Sequence, residues 1–361
     1  MSNDTTDAYP DSADDIVATY ADAAGLAQPP LIIIEGLEPL VPGSGPLKVV
    51  QLGKGKSNET FLVERDATTW VLRRPPRPPW PQSAHDVLRE HAILDALTSQ
   101  GIPVPRLLLA CSDHAVIGAP FYIMEFVDGV VVRDTFPPEL DDEANRRQSV
   151  ISLAETLADV HAVEWRGTAL EALGRPSGYL ERQLRRWTGN LETTATRNLP
   201  DLVAVGDWLA ANRPEHSEVT LVHGDYKLDN VILALGSPTR VVAVVDWEMA
   251  TIGDPLADLG LFSVVYVEPG EIADPVLGFS AATSAPGCPT RDEMIQVYQR
   301  RSGRKVDNLH WYECFAMWKL AIIIEGGYKR YLAGTTQNDF FEHAREGVPR
   351  LAARALALTL T

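Results

Sequence analysis

The densest chemistry in this 361-residue chain is the run Leu221-Val222-His223-Gly224-Asp225-Tyr226-Lys227-Leu228-Asp229-Asn230. It continues through Val231 to Leu235, the turn Gly236-Ser237-Pro238, Val241 to Val245, and then Asp246-Trp247-Glu248. If the two apolar runs pair antiparallel, Asn230 at the start of one strand lies beside Asp246 at the end of the other. A carboxylate and an amide oxygen are hard donors, which suit Mg²⁺; that ion keeps several waters and takes its remaining ligands from substrate phosphates. Asp225 precedes Asn230 on the same loop and can reach a hydroxyl approaching a phosphate held there, so it is the candidate general base. Taken singly, Asp and Asn favour turns and caps. Taken jointly, they point to phosphoryl transfer, which needs little beyond metal ligands, a base and cationic clamps.

The elements that must position these residues follow from hydrophobic periodicity. From Leu47 to Arg74 the pattern is β, with Phe61 to Glu64 and Trp70 to Leu72 as strands about an Asp66-Ala67-Thr68 turn. Gly53-Lys54-Gly55-Lys56-Ser57-Asn58 falls between two predicted strands, where Ser57 and Asn58 could donate to phosphate oxygens. The prolines of Pro75 to Pro81 end that sheet, and Val87, Leu88, His91, Leu94 and Leu97 recur at helical spacing. Phe121 to Met124 is a further strand, with a crossover expected at Val127-Asp128-Gly129. Beyond it the pattern is mostly helical: Val150, Leu153, Ala154, Leu157 and His161 trace one face, and Thr290 with Glu293 has capping-box spacing. The expected fold is α+β and two-lobed: an acidic extension over 1–44, a small β-rich N-lobe over 45–125, and a larger, mostly helical C-lobe over 126–361.

Composition narrows the partners. Against 49 Asp+Glu stand 32 Lys+Arg, a formal charge of -17 that would repel nucleic-acid phosphates and anionic lipid heads. Neither nucleic acid nor a membrane surface is an expected partner. No Lys or Arg precedes Lys48, so the opening stretch reads as a solvated acidic tail with a short helix around Asp15 to Ala24. Cys111, Cys288 and Cys314 are widely separated and lack metal or redox spacing, which fits a reducing cytoplasm. The apolar runs Leu31 to Ile34 and Leu320 to Ile324 stop at Glu35 and Glu325, short of bilayer length, and no basic-then-apolar signal opens the chain.

The spacing His-x-Asp, then five to Asn, then Asp after a hairpin resembles the protein-kinase-like superfamily, in particular its aminoglycoside phosphotransferase branch, which carries His-Gly-Asp at this loop. The resemblance runs from about Leu47 onward. It implies ATP and Mg²⁺ as cofactors, with GTP also open, Asp225 as base and Asn230 and Asp246 as metal ligands. Lys227 takes the place of a phosphate-contacting lysine. Arg73 aligns with the third-strand lysine of kinases, Arg74 being the competing choice, and Glu90 with its ion-pair partner. Backbone groups of Glu125 and Val127 would face the adenine as a hinge. Asp258 would brace the catalytic loop by accepting backbone N–H bonds, and His223 would order it.

The run Trp318-Lys319-Leu320-Ala321-Ile322-Ile323-Ile324-Glu325-Gly326, with Gly55-x-Ser57-Asn58, looks most like the kinase-like domains fused to some acyl-CoA dehydrogenases. The expected activity is therefore ATP- and Mg²⁺-dependent phosphorylation of a small-molecule hydroxyl, the acceptor being aminoglycoside-like or a hydroxyacyl or other metabolite. Glu313, Trp318, Glu325, Tyr328 and Tyr331 fall in one helical stretch that could bind it, with core packing the bland role for Trp318. No Ala-Pro-Glu follows Asp246, which argues against protein substrates. The rival from another class is a nucleotide-binding pseudokinase with a regulatory or scaffold role, motivated by Arg73 and the sparse glycine loop.

Overall fold

The computed structural model describes residues 31–52, 58–77, 86–215, 218–277, 280–334 and 339–360, together with the backbone of a strand at Val17–Ala18. Ser57 and the glycines beside it lie outside the described residues. So does the helix expected around Asp15 to Ala24, except at Val17 and Ala18. Those two are extended, pairing in parallel with Ile32 and Ile33, because a ladder partner overrides weak local helix propensity. Two compact units divide the chain: Met1–Asp95 with Pro105–Val127, and Ala96–Val104 with Asp128–Thr361.

Among the described residues the first unit is an antiparallel sheet with one long helix and two single-turn helices, Ile34–Leu37 and His114–Ile117. Its elements are β1 (Lys48–Gln51), β2 (Glu59–Arg65), β3 (Thr68–Arg74), α1 (Val87–Thr98), β4 (Leu107–Cys111) and β5 (Phe121–Glu125), with strand order β1-β2-β3-β5-β4. Alternation explains β2, whose Phe61 and Val63 point into the core while Leu62 and Glu64 are half-buried. Leu31, Ile32, Leu37 and Val41, expected in the acidic tail, join Phe61, Leu72 and Ile123 in that core. Each such side chain contributes roughly 1.5–3 kcal/mol by leaving water, enough to fold this stretch onto the sheet despite the acids around it. On α1 the buried positions are Val87, Glu90, Ile93, Leu94 and Leu97; Leu88 and His91, expected on that face, are only half-buried.

The second unit carries α2 (Glu143–His161), α3 (Tyr179–Thr194), α4 (Pro200–Ala211), β6 (Thr220–Val222), β7 (Val231–Leu233), β8 (Val241–Val244), β9 (Thr251–Gly253), α5 (Leu256–Val265), α6 (Arg291–Ser302), α7 (Leu309–Leu332) and α8 (Ala344–Leu358). Val150, Leu153, Ala154, Leu157 and His161 are all buried on α2, and Thr290 with Glu293 forms the capping box of α6. Trp318 is core: it is 1% exposed and its Nε1 donates to the Leu202 carbonyl at 2.8 Å. Among the described residues no helix is long and apolar enough to cross a membrane.

Two short antiparallel ladders frame the dense motif. β7 pairs with β8, and β6 with β9. The expected strands over Val231 to Leu235 and Val241 to Val245 are shorter than the sequence suggests. The ladder ends at Leu233 and Val244, and a bulge between Val241 and Ala243 adds one residue to one side.

Candidate active site

The β7–β8 register opposes Val231 to Val244, and the Val245 N–H donates to the Asn230 carbonyl at 3.0 Å. Asn230 therefore stands directly opposite the residue that precedes Asp246. On the other ladder Val222 opposes Thr251, which brings His223 alongside the segment that follows Asp246. Gly224 is required at that approach: its φ is +85°, and a Cβ there would meet the Met249 carbonyl oxygen at 2.7 Å. The two ladders thus deliver Asp225, Asn230 and Asp246 to one place, as the spacing implied.

Polar contacts then fix the loop. The Asn230 Nδ2 donates to the Asp225 carbonyl at 2.8 Å and to its Oδ2 at 2.9 Å, so Asn230 presents its amide oxygen on the other side. Lys227 Nζ is hydrogen-bonded to Asp225 Oδ2. His223 takes the neutral tautomer that its neighbours dictate: Nδ1 accepts from the Asp225 N–H at 3.3 Å and Nε2 donates to the Val245 carbonyl at 3.0 Å. Burial lowers its pKa, consistent with an uncharged ring. Asp246 has φ +66°, a left-handed conformation uncommon for any residue with a side chain, imposed where β8 breaks into a helical turn at Trp247–Met249.

Asp258, at the start of α5, braces this loop. Its Oδ2 accepts the His223 N–H at 2.7 Å and its Oδ1 the Gly224 N–H at 2.8 Å. His161 of α2 adds Nε2 at 3.2 Å and is itself bonded through Nδ1 to Tyr298 at 2.8 Å. Burial alone would raise the Asp258 carboxyl, yet these donors and the nearby imidazoles hold it below the usual range. Burial likewise opposes the Lys227 ammonium, but Asp225 and Asp229 hold its pKa above the ordinary lysine value. Asp229 is pushed up to about 6, chiefly by burial, with Lys227 opposing and Asp225 adding to the shift.

In the first unit Arg73 and Glu90 form an ion pair at 3.0 Å, with side chains 10% and 1% exposed. Arg74, its competitor, turns instead to the Pro75 and Leu31 carbonyls. Asn58, 4% exposed, immediately precedes β2. At the end of β5 the Glu125 N–H donates to the Arg106 carbonyl at 2.8 Å and the Phe126 N–H to Thr69 at 3.4 Å, so Val127 is the first residue past the ladder. The Glu125 carboxylate pairs with Arg106 at 2.6 Å.

The donor chemistry fits a divalent cation of the Mg²⁺ kind. One carboxylate and one oriented amide oxygen are what such an ion takes from a protein when phosphates complete its shell. A closed cage is not needed, and among the described residues no three His, Cys, Asp or Glu side chains gather as one. Of the residues expected to form an acceptor surface on α7, Tyr328 and Tyr331 stack with ring centroids 6.4 Å apart and Arg197 lies over Tyr328, while Trp318 is core and the two acids are engaged by protein groups. The Glu325 carboxylate is fully buried and bonded to the Thr196 N–H and hydroxyl and to Arg197, while Glu313 accepts from Ser263. His161 was legible only as a histidine on an apolar face, and Lys319, whose Nζ donates to the Gly224 carbonyl at 3.2 Å, carried no local signal.

Residues 48–294 match the phosphotransferase enzyme family. The chain belongs to that family. The chain is 36% identical over 296 residues to human acyl-CoA dehydrogenase family member 11, covering 81% of the present chain and 37% of the human one. It therefore spans little more than a third of the length of that relative. The crystal structure of a candidate aminoglycoside phosphotransferase from Ralstonia eutropha superposes with a TM-score of 0.76 at 30% identity, covering 91% of this chain and 97% of that one. A thermostable aminoglycoside phosphotransferase in ternary complex with AMP-PNP and hygromycin B shares the fold, with a TM-score of 0.56 at 18% identity over 87% of this chain and 94% of the other.

Proposed function

We propose that the chain is an ATP- and Mg²⁺-dependent phosphotransferase that phosphorylates a hydroxyl group of a small molecule. The observation that carries it is the Asn230 amide clasping both the carbonyl and the carboxylate of Asp225, opposite the residue before Asp246. Asn230 and Asp246 would hold Mg²⁺, which supplies charge neutralisation on the phosphate oxygens. Asp225 would orient the acceptor hydroxyl and take its proton as that oxygen bonds the γ-phosphorus and the bond to the β–γ bridging oxygen breaks, releasing ADP. Lys227 would then contact the transferred phosphoryl group, which draws it from Asp225 and leaves the carboxylate to the acceptor. In the small unit Arg73, aimed by Glu90, would contact nucleotide phosphates, with Ser57 and Asn58 donating beside it and the Glu125 and Val127 backbone meeting the base. The resemblance to antibiotic-modifying enzymes and to parts of acyl-CoA dehydrogenase relatives supports a small hydroxylated acceptor, either aminoglycoside-like or a hydroxyacyl or other metabolite.

Acceptor-dependent ADP release tests this. A thermal-shift screen with Mg²⁺ and AMP-PNP would first find acceptor classes that stabilise the protein. Asp225→Ala should then lower turnover by about 10³-fold while AMP-PNP affinity stays within about threefold. Nucleotide binding with no turnover of any hydroxyl compound by the natural protein would instead establish a pseudokinase.

A further inference from the structure

We infer that Lys319 is a positioning residue for Asp225: from α7 it holds the oxygen of the Gly224–Asp225 peptide, and with it the direction of the Asp225 side chain. The inference rests on Asp225 acting as the base. The Lys319 Nζ donates to the Gly224 carbonyl at 3.2 Å, and the N–H of the same peptide, that of Asp225, donates to His223 Nδ1 at 3.3 Å. A peptide is planar, so a bond at its oxygen and another at its nitrogen fix the whole plate. Its tilt sets φ of Asp225 and hence where Cβ points.

Glycine makes this restraint necessary. Position 224 must lack a side chain because Met249 lies too close, and a glycine at φ +85° supplies little conformational preference of its own. Asp258 secures the Gly224 N–H, one peptide earlier, and leaves the following plate to be held by other means. Lys319 reaches it from far along the chain, over the face of Trp187 with Nζ 5.6 Å from the ring centroid. It lines one small cavity together with Tyr179, Leu261 and Phe315. Burial pulls its pKa down, so an ammonium here carries a cost that a leucine or methionine filling the same space would avoid.

Lys319→Met keeps the stem and removes the donor. It should lower kcat by about 30-fold with KM for ATP within about twofold, because displacing a reacting group by a fraction of an ångström costs orientation and not nucleotide binding. Amide hydrogen exchange gives a readout that needs no acceptor: exchange at Asp225 should speed by about tenfold in Lys319→Met while Gly224, bonded to Asp258, is unchanged. As a rescue, Lys319→Cys in a Cys111→Ser background would be alkylated with 2-bromoethylamine to restore an ammonium at lysine length. Burial pushes the Cys288 and Cys314 thiols up to about 11 and about 12, which protects them from the reagent. Recovery of at least half of kcat supports the inference. Unchanged Asp225 exchange in Lys319→Met, or a kcat loss that persists once mass spectrometry shows full aminoethylation at position 319, overturns it. If the natural protein phosphorylates no hydroxyl compound, the phosphotransferase reading falls, while the exchange result still decides the role of Lys319.

Discussion

The loop from His223 to Asn230 and the β2–β3–α1 face of the small unit both bury polar groups, but they satisfy them differently. In the loop, Asp258, His223 and Asn230 each bond two or more partners of the same unit. In the small unit, Arg73 and Glu90 form an ion pair, and the buried Nδ2 and Oδ1 of Asn58 have no hydrogen-bond partner among the described residues. A closed network holds its geometry without help from a ligand. An amide left open costs stability and is suited to being completed by one.

The comparison can be broken most forcefully at its tightest point. Asp258→Ala strips the His223 and Gly224 N–H groups and His161 of a common acceptor and should cost about 4 kcal/mol in urea unfolding, with loss of turnover. Asp258→Asn tests the charge. Because the folded carboxyl lies below its unfolded value, its stabilisation is full above the unfolded pKa and is lost as pH falls through the folded one. The stability gap between the natural protein and Asp258→Asn should hold steady down to about pH 4 and shrink below it. A gap that widened on acidification would refute the assignment.

A smaller effect is expected at the ion pair. Arg73→Met removes the Arg73–Glu90 ion pair and should cost about 3 kcal/mol, whereas Arg73→Lys keeps the charge, should cost about 1 kcal/mol, and should raise KM for ATP severalfold. Equal costs for the two would show that shape and not charge matters. The smallest effect belongs to Asn58→Ala, which should change nucleotide-free stability by less than about 1 kcal/mol in either direction while weakening AMP-PNP several-fold. A loss above about 2 kcal/mol without nucleotide would mean that the amide is already satisfied and would erase the contrast.

Much of the candidate site was legible because it is local. The loop, hairpin and following acid lie within 26 residues, His223 to Glu248, and hydrogen-bonded register over two short strands leaves little freedom in where Asn230 and Asp246 fall. The β2–β3 hairpin and the α2 face were legible for the same reason, as strand and helix periods. What failed was the fate of polar residues on long helices. Glu325 has the spacing of an acceptor-binding acid on α7, but Arg197 and Thr196 enclose it. Leu31 to Val41 looked like a tail because charge was weighed over a stretch whose aliphatic residues are buried.

By itself, then, the order of residues determined which groups could do phosphoryl-transfer chemistry and that two turns would gather them, since neighbours a few positions apart are constrained by backbone geometry alone. It left open whether Arg73 or Arg74 would meet Glu90, what would hold the Gly224–Asp225 peptide, and which histidine would back Asp258. Those were decided by tertiary packing. Adjacent arginines on a strand differ only in the face they take, and Lys319 reaches Gly224 and His161 reaches Asp258 across 95 and 97 positions of chain, distances over which only the mutual burial of helices sets who touches whom.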